Sequence, residues 1–262
     1  MEPLLQVVDL TKRFGGLVAV DKATVDIFPG EVVGLVGDNG AGKSTLIKMV
    51  SGVYQPDGGN IYFDGKNVTF AGPREARDLG IETIYQDLAL AENLDVGSNI
   101  FLGREIKQKY AGGLLHSLDR RKMREESATC LARLDIQVPS LTQQIRNLSG
   151  GQRQAVAIAR SIYWNARMMI MDEPTAALGV SEQRKVLTLV RTLAGQGVPV
   201  IIISHNMQDV FAVADRIVIM RRGKKVAERI AAETTPDEIV SLMVGAEAVH
   251  EMGVIPKALT QD

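Results

Sequence analysis

The chain has little of several features that mark common protein classes. It has one cysteine, Cys130, which excludes an internal disulfide, and no apolar run is long enough to cross a bilayer. We see no signal peptide, internal repeat or low-complexity segment. Neither charge dominates, because the formal net charge is −1 and the isoelectric point is near 6.3. These absences argue against a secreted disulfide scaffold and a broad nucleic-acid surface, and favour a soluble cytoplasmic protein.

The sequence does contain enough apolar residues for a large core. With 262 residues, 45% of them hydrophobic, the chain has room for one large domain with an inserted subdomain. Alternating patches between residues 4 and 28, and short ones around Asp64-Gly65, predict an antiparallel sheet with a hairpin. Continuous apolar runs predict buried parallel strands near Val32, Ile81, Met168, Val200 and Ile217.

The apolar runs stop between residues 87 and 165. This region is polar, and its pattern predicts helices without strands. The charged run 119–126 within it is most simply the solvated face of a helix.

A glycine-rich segment follows the apolar run 32–36. It has the sequence Gly-Asp-Asn-Gly-Ala-Gly-Lys-Ser-Thr and fits the pattern G-x-x-x-x-G-K-[ST]. Glycines let the backbone N–H groups turn inward toward a phosphate, and a helix starting near Lys43 would add its positive dipole end. We expect Lys43 to bridge the β- and γ-phosphates of a nucleoside triphosphate and Ser44 to ligate Mg²⁺. The nucleotide contacts expected here are Gly37, Asn39, Gly40, Ala41, Gly42, Lys43, Ser44 and Thr45.

Two acids end a second apolar run, 168–171. Asp172 and Glu173 follow it directly, which indicates a buried strand with carboxylates at its tip. We expect Asp172 to hold Mg²⁺, and Glu173 to polarise the attacking water. Adjacent acids at a strand end can be ordinary solvated residues, so this prediction depends on the glycine-rich segment.

A third motif, Leu-Ser-Gly-Gly-Gln at residues 148–152, precedes a helical pattern. Here the chain resembles the ATP-binding-cassette ATPases, whose signature is this sequence. Ser149 and the glycine amides would form a second anion nest at a helix N-terminus. The resemblance implies a head-to-tail homodimer, in which the signature of one subunit closes over ATP on the other. The expected contacts are Ser149, Gly150, Gly151 and Gln152.

The family resemblance extends to further positions. Gln86 resembles the glutamine that reaches Mg²⁺ and the lytic water, and His205 resembles the histidine that contacts the γ-phosphate and orients Glu173. Phe14 resembles the aromatic that stacks on adenine, although it could equally belong to the core. Gly179 departs from the family, which often has aspartate there, so the usual contact between the two sites is in doubt. A neighbour such as Ser181 could replace it.

The resemblance covers nearly the whole chain and implies an α/β fold. It predicts a P-loop NTPase core with a mostly parallel sheet flanked by helices, an N-terminal antiparallel β subdomain and an inserted α-helical subdomain. We therefore expect one ATPase domain over residues 1–262, with the insertion at about 87–165 and a C-terminal tail at about 223–262.

Several segments, including 52–59, 76–86 and 93–105, resemble ATPases of bacterial ribose, xylose and fructose importers. This implies a subunit that uses ATP to energise uptake of a sugar of monosaccharide type. The sugar would pass through a separate permease, to which a substrate-binding protein delivers it. It would lie peripherally on the cytoplasmic face of the inner membrane. Two alternatives stay open: segment 14–20 also resembles branched-chain amino acid importers, and some soluble relatives act on ribosomes or DNA. The latter often have paired cassettes, coiled-coil arms or zinc-binding cysteines, which are not seen here.

Overall fold

The computed structural model describes residues 2–85, 87–110 and 115–245. Within these ranges the strands are β1 (Leu5–Phe14), β2 (Leu17–Ile27), β3 (Val32–Val36), β4 (Gly58–Phe63), β5 (Lys66–Val68), β6 (Ile81–Ile84), β7 (Lys107–Tyr110), β8 (Leu115–Leu118), β9 (Met168–Asp172), β10 (Val200–Ile203), β11 (Arg216–Arg221) and β12 (Lys224–Ile230). The helices are α1 (Lys43–Val50), α2 (Pro73–Asp78), α3 (Val96–Ile100), α4 (Arg120–Arg133), α5 (Gly150–Tyr163), α6 (Val180–Gly195), α7 (Met207–Val213) and α8 (Pro236–Val244). Two calls lie outside the described residues: Gln86 and the end of the tail, 246–262.

The central sheet has the strand order β12-β11-β3-β10-β9-β6. All neighbouring strands from β11 to β6 are parallel, and β12 is an antiparallel edge. Strands β3 and β10 are buried along their whole length, because helices cover both faces of such a sheet. The five buried parallel strands predicted from apolar runs are therefore confirmed.

The second sheet is antiparallel, with the order β2-β1-β4-β5. Its β4–β5 hairpin turns at Asp64-Gly65, where both residues have positive φ. Both the antiparallel sheet and this turn were predicted. One face of this sheet shares a hydrophobic cluster with α1 and the central sheet, which includes Leu5, Ile27 and Ile47. The cluster fixes α1, and with it the loop that precedes α1, between the two sheets.

The inserted region contains a structure that the sequence analysis did not predict. Strands β7 and β8 pair as an antiparallel hairpin, so the expectation that strands stop between residues 87 and 165 was wrong. Among the hairpin residues whose side chains are described, Lys107, Ser117 and Leu118 are exposed, which agrees with the lack of an apolar signal in the sequence. Backbone hydrogen bonds pair the two strands.

The charged run 119–126 forms the start of α4, as predicted. Asp119 caps this helix by accepting a hydrogen bond from the Lys122 backbone N–H at 3.0 Å. Met123 is the buried exception in an otherwise solvated stretch, and it joins the cluster formed with α3 and α5.

Arg216 links the two large sheets through charged contacts. From β11, its guanidinium lies 2.6 Å from Glu31 and 2.6 Å from Glu228 on β12, and it donates a 2.5 Å hydrogen bond to the Asp26 carbonyl on β2. The side chain is only 14% exposed. Burial alone would raise the pKa of Glu228, but hydrogen bonds from Lys225 and Arg216 lower it below its ordinary value of 4.5.

We expect Arg216→Ala to lower the free energy of unfolding by about 3 kcal/mol, because it leaves two partly buried carboxylates without their partner. Urea unfolding without nucleotide measures this. The matched control is Arg121→Ala, which removes an ion pair with Glu125 at an exposed site and should leave the free energy of unfolding nearly unchanged.

The loss of stability caused by Arg216→Ala should also depend on pH. The pKa of Glu228 is lower in the folded state than in the unfolded state. Its contribution to the free energy of unfolding is therefore complete above the unfolded-state pKa, near 4.5, and is lost as the pH falls through the folded-state pKa. The difference in free energy of unfolding between wild type and Arg216→Ala should therefore become smaller at acidic pH. An equal difference in this free energy at neutral and acidic pH would contradict this account.

Candidate functional site

The glycine-rich loop connects β3 to α1, as predicted. Gly37, Gly40 and Gly42 have φ values of +150°, +80° and +101°, which other residues rarely adopt. A Cβ at Gly37 would lie 2.2 Å from the Met220 carbonyl oxygen, and one at Gly42 would lie 2.5 Å from that of Ala19. The loop therefore requires glycine at both positions for conformation and for space.

Helix α1 begins at Lys43 without a side-chain cap. Its first N–H groups consequently have no partner from a capping side chain, which is the arrangement that binds phosphate at a helix N-terminus. Ser44 is exposed on this first turn, beside Thr45, while Asn39 and Gly40 are exposed on the loop and Ala41 is buried beneath it.

Lys43 folds back over the loop. Its ammonium group donates to the carbonyl oxygens of Gly37 at 2.5 Å and Asp38 at 3.0 Å. Burial lowers the pKa of Lys43, against the opposing charges of Glu173, Asp38 and Asp172. The cation is thus partly desolvated and surrounded by oxygen atoms, at the centre of the loop that would enclose a phosphate.

The order of the parallel strands brings the other predicted residues to the same edge. Strand β10 lies between β3 and β9, so the segments after these three strands are neighbours. Asp172 is the last residue of β9 and pairs in register with Ile203 at the end of β10. Burial and the charge of Glu173 raise the pKa of Asp172, while Lys43 opposes the rise. Two adjacent carboxylates here favour a nearby cation.

Glu173 and His205 are in direct contact. The backbone N–H of His205 donates to Glu173 Oε1 at 3.1 Å, and His205 Nδ1 lies 2.8 Å from Glu173 Oε2 without the alignment of a hydrogen bond. Glu173 has a φ of +52°, and its own N–H donates to the Ile203 carbonyl at 2.8 Å. The backbone conformation is strained and directs a mostly buried carboxylate toward an exposed imidazole.

A buried hydrogen bond that sequence reasoning missed lies behind this pair. Thr175 Oγ1 donates to Asp209 Oδ2 at 2.6 Å, and both residues are buried. The bond joins the segment after Glu173 to α7, the helix after His205. Each residue follows a predicted site residue closely, but no spacing rule connects positions so far apart in the chain.

The signature residues cap α5. Ser149 Oγ accepts from the Gln152 N–H at 3.3 Å, and Gln152 Oε1 accepts from the Ser149 N–H at 3.1 Å, which is a reciprocal capping box. A Cβ on Gly150 would lie 2.6 Å from the Leu178 side chain, and one on Gly151 would lie 2.9 Å from that of Glu182. The signature therefore packs against the segment that follows Glu173 in its own chain.

No hydrogen bond or ion pair among the described residues joins the signature to the glycine-rich loop. The structure thus brings the loop, Asp172, Glu173 and His205 together and leaves Ser149, Gly150, Gly151 and Gln152 as a separate group. Gln86, expected after β6, lies outside the described residues.

Phe14 ends β1 and is 43% exposed, so the alternative that places it in the core is wrong. Its ring meets the edge of Tyr54 at a centroid distance of 5.3 Å, and Lys12 Nζ lies 5.7 Å from its centre. An exposed aromatic ring can accept a flat base by stacking. Tyr54 was not singled out from the sequence, because its proximity to Phe14 depends on the turn after α1.

Gly179 precedes α6 in an extended conformation, with no atom within 4 Å of where its Cβ would be. The backbone conformation and the free space at this position are both compatible with the aspartate that other family members have. Nothing in the structure explains why glycine is present. Ser181, suggested as a replacement contact, is exposed on the first turn of α6.

Comparison with known proteins gives three concordant results. A family model described as ABC transporter matches residues 20–176. The chain is 50% identical over 243 residues to the xylose/arabinose import ATP-binding protein XylG of Sulfolobus acidocaldarius, covering 93% of this chain and 94% of the relative. It is 45% identical over 248 residues to the fructose import ATP-binding protein FrcA of Rhizobium meliloti, covering 94% and 95%.

The fold is also similar to solved structures. A nucleotide-free ATP-binding cassette from an ABC transporter superposes with a TM-score of 0.77 at 26% identity, covering 94% of this chain and 97% of that one. In the described ranges, no helix combines the length and the apolar character needed to span a membrane.

We expect Gly42→Ala to weaken binding of a nucleoside triphosphate by at least about 100-fold, since the new Cβ forces the loop away from the Ala19 carbonyl. Titration with a fluorescent triphosphate analogue measures the affinity. Gly195→Ala is the matched control, because a Cβ there meets no atom within 4 Å. Unchanged affinity in Gly42→Ala would contradict the assignment of this loop.

Proposed function

This chain belongs to the ABC transporter family, and from that premise we propose that it is the ATPase subunit of an importer that takes up a sugar, of monosaccharide type, through a separate membrane permease. It binds and hydrolyses ATP. The observation that carries the sugar assignment is the likeness, across more than nine-tenths of this chain, to proteins named for xylose/arabinose and fructose import. Neither name supports the branched-chain amino acid alternative.

In our proposal, the glycine-rich loop and Lys43 hold the β- and γ-phosphates of ATP. The uncapped N-terminus of α1 and the desolvated ammonium group support this role. Phe14 stacks on the adenine, supported by its exposed ring and its edge contact with Tyr54. Lys43 would exchange its two carbonyl partners for phosphate oxygens, and part of its desolvation is already present before ATP binds.

The residues at the start of α1 and the end of β9 fit a magnesium ion. Ser44 offers an exposed hydroxyl, and burial together with the charge of Glu173 raises the pKa of Asp172, an effect that a bound cation would oppose. We assign Ser44, Asp172 and Gln86 as the residues that would hold the ion. When bound, Mg²⁺ would supply charge stabilisation between the β- and γ-phosphates.

Glu173 is the proposed general base, which accepts a proton from the attacking water. His205 is proposed to keep that carboxylate oriented and to contact the γ-phosphate, supported by its two contacts with Glu173. Because imidazole and carboxylate meet at the strand ends of β10 and β9, the backbone of the sheet sets their separation.

We propose that the working unit is a homodimer with two ATP molecules at its interface. The signature packs on its own chain through Leu178 and Glu182, and makes no described contact with its own glycine-rich loop. The capping box uses the N–H groups of Ser149 and Gln152, which leaves those of Gly150 and Gly151 for the γ-phosphate of ATP on the other subunit. ATP binding would draw the subunits together, and hydrolysis would release them.

The permease is proposed to contact the surface around residues 87–99, with the chain held peripherally at the cytoplasmic face of the inner membrane. A surface cavity of about 430 Å³ adjoins this segment and is lined by residues including Tyr85, Ala89, Leu102, Arg104 and Trp164. Its mixture of aromatic, apolar and cationic side chains suits a protein segment. A substrate-binding protein completes the system, and no nucleic-acid partner is proposed.

Glu173→Gln should lower kcat for ATP hydrolysis by about 10²–10⁴-fold, because the amide cannot accept the proton. Affinity for ATP should remain, and the dimer should accumulate in ATP. Phosphate release and size-exclusion chromatography measure the two effects. Glu233→Gln, at an exposed position, is the control and should hydrolyse ATP like wild type. Hydrolysis at the wild-type rate by Glu173→Gln would remove this residue from the mechanism.

The transport assignment is tested by purifying tagged Glu173→Gln from native membranes with Mg²⁺ and ATP and identifying the copurifying proteins by mass spectrometry. We expect a multi-span permease and a sugar-binding protein, both reduced when ATP is omitted. Recovery of ribosomal or DNA-repair proteins without a permease would overturn the importer assignment and leave the ATPase chemistry intact.

A further inference from the structure

Gln154 is a buried polar residue that the mechanism above does not use. It lies on the second turn of α5, five residues after Ser149, and is 5% exposed. Its side-chain Nε2 is buried and has no hydrogen-bond partner among the described residues. Buried amide groups are nearly always paired, so an unpaired one requires a specific reason.

The amide borders the same cavity as Glu173. This cavity, of about 280 Å³, lies between the start of α5, the segment 173–178 and the segment 87–92. Glu173 Oε2 also lacks a hydrogen-bond partner in the described part of the chain, despite its closeness to His205. Gln154 and Glu173 thus border one cavity, which is large enough for several water molecules at roughly 30 Å³ each, while the two atoms without partners, Nε2 and Oε2, are themselves shielded from water.

The two groups belong to elements that pack tightly. Leu178 and Glu182 occupy the spaces next to Gly150 and Gly151, so the start of α5 cannot move without the segment that follows Glu173. The carbon atoms of the Glu182 side chain lie 2.9 to 3.4 Å from the position of a Gly151 Cβ. One rigid contact therefore joins the signature, proposed to bind ATP on the other subunit, to the base acting on this chain's own ATP.

We propose that Gln154 is a positioning residue for ATP hydrolysis. When the signature closes on the γ-phosphate held by the other subunit, the start of α5 and the segment after Glu173 move together, and the Gln154 side chain turns across the cavity toward Glu173. There Nε2 donates a hydrogen bond to the carboxylate, directly or through one water, and fixes its orientation toward the lytic water. The inference rests on the proposed dimer and the proposed base, and is independent of the transported molecule.

If Gln154 is a positioning residue, losing its amide should lower the activity without lowering the stability of the fold. In the resting chain, Nε2 makes no hydrogen bond within the described ranges, so losing this donor should not destabilise the fold. During hydrolysis the same loss leaves Glu173 less well oriented, which lowers kcat without affecting the residues that bind ATP. A merely structural glutamine would show the opposite pattern.

The test uses purified full-length Gln154→Met, which keeps the length and approximate volume of the side chain without the donor. We expect kcat to fall about 10-fold or more, KM for ATP to stay within about twofold, and the thermal midpoint without nucleotide to be equal or higher. Ser127→Ala is the control: Ser127 is fully buried in α4 and bonds only within its helix, so kcat should be unchanged. A wild-type kcat in Gln154→Met, or a fall in kcat matched by a lower thermal midpoint, would overturn the proposal.

A double-mutant cycle tests whether Gln154 acts through Glu173. In a Glu173→Gln background, Gln154→Met should cause no further loss of hydrolysis and should leave ATP-driven dimerisation intact. Losses that multiply, or a dimer that no longer forms, would show that the amide acts elsewhere. The Glu173→Gln protein alone reports on the proposed base, so failure of that assignment is distinguishable from failure of this inference.

Discussion

The hydrogen-bonded pairing of β3, β10 and β9 is the constraint on which the rest of this structure depends. In register, Val200 faces Val32 on one side and Met169 on the other, so the three strands end together. The chain after each strand must then leave the sheet at the same edge. Lys43, Glu173 and His205 are widely separated in sequence, and this shared edge is what brings them together.

The stability of the molecule and its chemistry lie in different places. Around Arg216, buried charges are paired and link the sheets. At the site, by contrast, Glu173 has a strained backbone and burial lowers the pKa of Lys43, and in the described part of the chain neither Glu173 Oε2 nor Gln154 Nε2 makes an aligned hydrogen bond. Such features cost folding free energy, and they persist because the surrounding sheet over-determines them. They leave groups ready for a ligand or for a partner subunit.

The amino-acid sequence predicted secondary structure correctly where an element is buried on all sides. Runs such as 200–203 are apolar because a central parallel strand is covered on both faces, so their composition predicts strands directly. The β7–β8 hairpin gave no such signal, because exposed strands need no apolar residues and are held by backbone hydrogen bonds. Helix α5 was predictable, but the contact of its first glycines with Leu178 and Glu182 was not, since neighbouring segments in space leave no periodicity in sequence.

By itself, the sequence determined the chemistry: a loop with glycines at fixed spacing, a lysine and hydroxyl at a helix start, acids at a strand end and a serine-glycine helix cap. Each requirement is local, because a turn with positive φ or a capped helix depends on a few consecutive residues. Only the tertiary structure decided that Thr175 bonds Asp209, that Tyr54 supports Phe14, and that Gln154 and Glu173 share a cavity. These pairs are set by how elements pack across the core, and packing depends on shape and volume contributed by the whole chain.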